Sequence, residues 1–149
     1  MVLKMSFGIS IGDVVGTAKL AWRLYEALKD GPGEVEQISK DLTTVYGILN
    51  HVKEDLDASE SAIKTHGENR MRMLETMLKD LNQSLSEVSN IVDQYKNLYA
   101  TDDKSIKNKK DQMWARIKWV VGQKKIKRIH REISLHISRF GLLVTSMGK

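Results

Sequence analysis

The chain has 149 residues with no cysteine, one proline, ten glycines and 41% hydrophobic residues. Lack of cysteine excludes a disulfide framework, a thiolate metal site and a cysteine nucleophile; the composition is too apolar for a disordered chain and too proline-poor for a many-turned β protein. The length is that of one domain over 1–149, and the net charge of +5 hides an asymmetry, because residues 104–149 carry 13 Lys and Arg against 2 Asp and Glu, a local +11.

Apolar residues first recur at Ile11, Val14, Ala18, Ala21, Tyr25 and Leu28, and steps of three and four predict a helix over about 9–29. Gly31, Pro32 and Gly33 end it in a tight turn, since glycine accepts left-handed backbone and proline cannot continue a helix. The second helix, over about 34–57, opens with Glu34 and Glu36 at the positive end of its dipole and carries Val35, Ile38, Leu42, Val45, Leu49, Val52 and Leu56 on one face. Polar residues around Ser59, Ser61, Thr65 and Gly67 predict a loop.

The third helix, over about 68–99, keeps a heptad seam through Met71, Leu74, Leu78, Leu81, Leu85, Val88, Val92 and Tyr95, widened by Met77, Ile91 and Leu98. A widened seam suits an intramolecular bundle. After a polar connection, Trp114, Ile117 and Val121 mark a short helix over about 111–121 that Gly122 ends. Ile126, Ile129, Ile133, Ile137, Phe140, Val144 and Met147 then carry a last helix over about 123–147. The expected fold is all-α, an antiparallel four-helix bundle with a short extra helix before the last long one.

No catalytic or metal-binding constellation emerges. His51, His66, His130 and His136 fall in no ligand spacing and are expected to be solvated or partly packed. Glu54 with Asp55, and Asp102 with Asp103, sit in polar stretches where no perturbed pKa is expected. Gly8, Gly12 and Gly16 lack the preceding strand and the Lys-Ser/Thr ending of a phosphate loop. A non-enzyme with no cofactor is therefore expected, acting through a surface or an exposed helix. The apolar start is interrupted by Asp13 and Lys19 and lacks a signal-peptide pattern, and no run of about 18 apolar residues exists.

Two features stand out. Gly8, Gly12 and Gly16 are four apart and share a helix face, the small-xxx-small pattern that allows close helix packing in lipid or in an oligomer. Each glycine also weakens a helix by roughly 1 kcal/mol relative to alanine, so the start of the first helix is expected to be releasable. Phe7, Ile9, Ile11, Val14 and Val15 are then the candidate membrane-inserting residues, unless this face simply packs in the core. The second feature is a basic stretch with Trp114 and Trp119 interleaved, in which Lys107, Lys109, Lys110, Arg116, Lys118, Lys124, Lys125, Lys127 and Arg128 are candidate ligands for anionic lipid. Nucleic acid accepts the same charges but is disfavoured, because no module that reads it is recognisable.

The order of features resembles a family. The opening Met5-Ser6-Phe7-Gly8-Ile9-Ser10-Ile11-Gly12-Asp13, the Gly31-Pro32-Gly33 turn before Glu34-Val35-Glu36-Gln37-Ile38, Lys118-Trp119 followed by Lys124-Lys125, and His136-Ile137-Ser138 to Leu142-Leu143 are similar to the N-terminal helical domain of fungal STAND (NLR-like) proteins, in the HeLo and HeLo-like group. The resemblance covers nearly the whole chain and rests on helix patterns. It implies a cytoplasmic domain of programmed cell death, heterokaryon incompatibility and innate immunity. Such a domain is oligomerised by an NLR-type sensor or C-terminal receptor domain and moves to the plasma membrane, where its first helix permeabilises the bilayer. Asp13 and Lys19 on that helix would be neutralised, paired or turned toward a pore lumen. The alternative expectation is an oligomerisation or adaptor module without membrane activity.

Overall fold

In a computed structural model that describes residues 11–31, 33–57, 68–100 and 122–147, the chain is all-α, with four helices and no strand among the described residues. They are α1 (Ile11–Leu28), α2 (Glu34–Asp57), α3 (Glu68–Ala100) and α4 (Gln123–Met147). The expected ranges of α2, α3 and α4 agree with these to within one residue at each end. The short helix expected over 111–121 lies outside the described residues, as do Phe7, Gly8 and Ile9.

Local chemistry sets the turn between α1 and α2. The Gly31 amide donates to the Leu28 carbonyl at 2.9 Å. A Cβ at Gly31 would collide with the Val35 side chain, so Val35 can open α2 close beneath the turn only because residue 31 lacks one. Gly33 takes a positive φ of 55°, and its carbonyl accepts the Gln37 amide at 3.2 Å. At the start of α4, Gly122 (φ 92°) places its carbonyl to accept the Lys125 and Ile126 amides at 3.1 and 3.2 Å.

α1 packs against α2 and α3, and α4 packs against the same two helices, so contacts run round the circuit α1, α2, α4, α3. Ser84 faces His136 while Glu87 faces Arg128, which sets α3 and α4 in opposite senses. Glu34 faces His130 while Asp41 faces Ser134, which sets α2 and α4 in the same sense.

One apolar core lies inside this circuit. The expected α2 seam is buried in full, from Val35 to Leu56. α3 contributes Leu74, Leu78, Leu81, Leu85, Val88, Ile91 and Val92, and α4 contributes Ile126, Ile129, Ile133, Phe140 and Leu143. α1 contributes smaller residues in its first half, Val14, Thr17, Ala18 and Ala21, before Leu24 and Leu28. Each buried Leu or Ile stabilises by about 1.5–3 kcal/mol relative to exposure, so α2, α3 and α4 supply most of the hydrophobic stabilisation.

Candidate functional site

The residues singled out by sequence fall at two places: the first half of α1 and the first turns of α4. On α1, Val14 is fully buried, Ile11 and Val15 are half-buried, and Gly12 and Gly16 are exposed. The two glycines, with Asp13 and Thr17, form one wall of an open groove of about 390 Å³ whose other wall is Glu75, Leu78, Lys79 and Asn82 of α3. The Asn82 Nδ2 donates to Thr17 Oγ1 at 2.9 Å across it, and Thr17 Oγ1 donates in turn to the Asp13 carbonyl at 2.9 Å. A Cβ at Gly16 would meet nothing within 4 Å. Gly16, then, is not where two helix backbones of this chain meet closely; it leaves a shallow wall facing α3.

On α4, Lys124, Lys125 and Lys127 are exposed in the first two turns, and the first turn holds no acidic residue. That end of a helix carries partial positive charge, so lysines there destabilise by a few tenths of a kcal/mol to about 1 kcal/mol where carboxylates would stabilise. Three lysines on the positive pole concentrate positive potential at one corner of the molecule. Arg128 is placed differently. Its guanidinium makes hydrogen-bonded ion pairs with Glu87 Oε2 of α3 at 2.7 Å and Glu132 Oε2 at 2.8 Å. The Glu87 hydrogen bond first, then that to Glu132, pushes its pKa further up. Arg128 is thus a clamp between α3 and α4 as well as part of the basic corner. Lys107, Lys109, Lys110, Arg116 and Lys118 lie outside the described residues.

Polar contacts that the sequence did not announce tie α4 to its neighbours. His136 is buried, with Nε2 2.9 Å from Ser84 Oγ of α3. Desolvation, and then the nearby Arg139, hold its pKa below the ordinary 6.5, against the opposing pull of Asp80 and Glu132. His130 lies between two carboxylates of α2, its Nδ1 3.0 Å from Glu34 Oε2 and its Nε2 3.0 Å from Asp41 Oδ2, and Ser134 Oγ donates to the same Asp41 oxygen at 3.2 Å. His51 is exposed and His66 lies outside the described residues. No group of three or more His, Asp and Glu among the described residues is arranged to hold a metal ion.

An aromatic cluster also escaped the sequence argument. Trp22 stacks obliquely on Tyr25 of its own helix and on Tyr46 of α2, with ring centroids 5.0 and 4.9 Å apart. The spacing of Trp22 and Tyr25, three residues apart, signals that pair; the contact with Tyr46 depends on how α1 meets α2.

No helix among the described residues is long and apolar enough to cross a membrane. No protein-family model matches the chain, and no curated protein or solved structure matches it.

Proposed function

We propose that this domain is a regulated effector of cell-death or innate-immune signalling, which oligomerises on activation and targets or permeabilises membranes through its first helix and a basic surface. In this reading the four helices close into a HeLo-like bundle whose consecutive members run antiparallel, and an NLR-type sensor or receptor domain supplies the trigger. The domain works at the plasma membrane after a cytoplasmic resting state.

The observation that carries the reading is that the first half of α1 buries only small side chains, Val14, Thr17, Ala18 and Ala21, and turns Gly12 and Gly16 outward. Small buried side chains give little area, and helical glycines destabilise the free helix, so release of this segment has a low cost relative to the other helices. Once out, Ile11, Val14 and Val15 form an apolar face suited to a bilayer interface. The lysines on the positive pole of α4 support the second half of the reading, because an anionic surface relieves their mutual repulsion and their conflict with the dipole. A protein-interaction module without membrane activity is the second reading, favoured by apolar side chains that α3 and α4 leave exposed.

Dye release and co-sedimentation with neutral and anionic vesicles test the proposal. The chain is expected to leak anionic vesicles, and Ile11→Glu with Val15→Glu, both half-buried positions that tolerate the change better than Val14, should abolish leakage while leaving circular dichroism intact. Lys124→Glu with Lys125→Glu and Lys127→Glu should reduce sedimentation with anionic vesicles. Leakage unaffected by the α1 pair in a folded protein would remove the membrane role of α1.

A further inference from the structure

Two histidines of α4, six residues apart, face different neighbours. His136 is buried toward α3, with Nε2 2.9 Å from Ser84 Oγ. The charged groups around it are Asp80 and Glu87 of α3 and Arg128, Glu132 and Arg139 of its own helix. His130 is partly buried toward α2, with Nδ1 3.0 Å from Glu34 Oε2 and Nε2 3.0 Å from Asp41 Oδ2. Carboxylates about two turns apart on α2 thus sit at opposite edges of one ring. The cations nearest to His130 in sequence, Lys127, Arg128 and Arg131, are on its own helix, and Arg128 is paired with Glu87 and Glu132.

A neutral imidazole carries one N–H, so it can donate to one carboxylate and must turn a lone pair toward the other. The second contact is left poorly satisfied at Glu34, whose Oε2 is buried and accepts no hydrogen bond among the described residues although Nδ1 lies 3.0 Å away. A doubly protonated ring has an N–H on each edge and a charge opposite to both carboxylates. We propose that His130 is a proton-dependent latch between α2 and α4, and that acid therefore moves the hold on α4 from α3 to α2. On the α3 side a proton does the reverse: it places a charge on buried His136 beside Arg139, which Asp80 and Glu132 offset only in part. The stability that His130 supplies is greatest when its ring is charged and fades as pH rises and the proton leaves. That supplied by His136 is full at neutral pH and fades as pH falls. One signal thus tightens one seam of α4 and loosens the other, so the bundle yields in acid between α3 and α4. None of these residues belongs to α1, and the inference stands apart from its release.

Urea unfolding of the full chain at about pH 8 and about pH 5 spans the range in which histidine changes charge while most carboxylates stay ionised. The factor by which His130→Gln raises the unfolding equilibrium constant should be about threefold larger at the lower pH. His136→Gln should show the opposite trend, its factor shrinking in acid. Double-mutant cycles of His130→Gln with Asp41→Asn and with Glu34→Gln locate the effect, and their coupling should be present in acid and shrink at the higher pH. Circular dichroism checks folding; should His130→Gln not fold, Asp41→Asn alone should lose the same acid-enhanced stability. A His130→Gln factor equal at both pH values, or larger at the higher one, would overturn the latch. So would an acid-enhanced factor coupled to neither carboxylate, since the sensitivity would then lie outside the α2 contact. Costs of the two histidine variants that grow together in acid would overturn the shift of α4 from one neighbour to the other.

Discussion

The first half of α1 and the middle of α3 lie against the same core and are held by different means. Over two turns α1 inserts Val14, Thr17, Ala18 and Ala21, while two turns of α3 insert Leu78, Leu81, Ser84 and Leu85. Beyond the core, the first half of α1 shows a groove lined by glycines and crossed by the single Asn82–Thr17 hydrogen bond that the described contacts give it, whereas α3 is tied to α4 by Ser84 to His136 and by Glu87 to Arg128. A helix whose buried side chains are small, and whose exposed face carries glycine, is the part of such a molecule that leaves first. The contrast is why we propose α1, and not α3, as the element that is released.

The comparison can be broken by measuring what each side contributes. Leu85→Ala, at a fully buried α3 position, should lower stability by about 3 kcal/mol, measured as a shift in urea midpoint. Val14→Ala, equally buried on α1, should cost about 1.5 kcal/mol, the transfer value of two methyl groups with little cavity term where the neighbours can close in. A cost at Val14 matching that at Leu85 would contradict the difference in anchorage. Gly16→Ala, with nothing within 4 Å of the new methyl, should add about 1 kcal/mol through helix propensity. It should also slow amide exchange in α1 more than in α3.

The smallest effect concerns pH. Burial and Arg139 lower the pKa of His136, so the folded state favours the neutral ring. The unfolded chain therefore binds the proton more readily, and the contribution of His136 is full above its ordinary 6.5 and lost as pH falls through the folded value. Urea midpoints of the natural chain should fall from neutral pH to about pH 5 more steeply than those of His136→Gln. Equal slopes would place His136 outside the buried network.

The fold was legible where the apolar period is strict. Every position of the α2 seam is buried as expected, because Val35 to Leu56 step by three and four without a fault, and the adjacent Tyr46 and Ile48 pack only partly buried at its edge. On α4 the period is ambiguous: His136 and Ile137, and Leu143 and Val144, are adjacent candidates at the edge of the seam. The chain buries His136 and Leu143 more deeply than their neighbours. A helix of 3.6 residues per turn drifts against a seam of 3.5, and over 25 residues that drift decides which of two neighbours faces inward.

The candidate site was legible in part. Ile11, Val14 and Val15 fall on one helix, and Lys124, Lys125 and Lys127 are exposed, as their spacing and charge suggested. The pairing of Arg128 with Glu87, 41 residues away, and the approach of Tyr46 to Trp22 depend on helices meeting in space and leave no local signal. A groove lined by Met73 of α3 and Leu142 of α4 was hidden for a related reason. Met73 and Leu142 lie outside the seams of α3 and α4, and only the packing of the two helices sets them side by side.

Whether the proposed membrane activity depends on release of α1 is decided by a matched pair of substitutions. Gly16 on α1 and Gly47 on α2 are both exposed helical glycines with nothing within 4 Å of a new Cβ, so alanine at either should raise stability equally, by about 1 kcal/mol. Dye release from anionic vesicles should fall with Gly16→Ala and stay unchanged with Gly47→Ala. Equal leakage from both variants, or a loss with Gly47→Ala alone, would contradict the account.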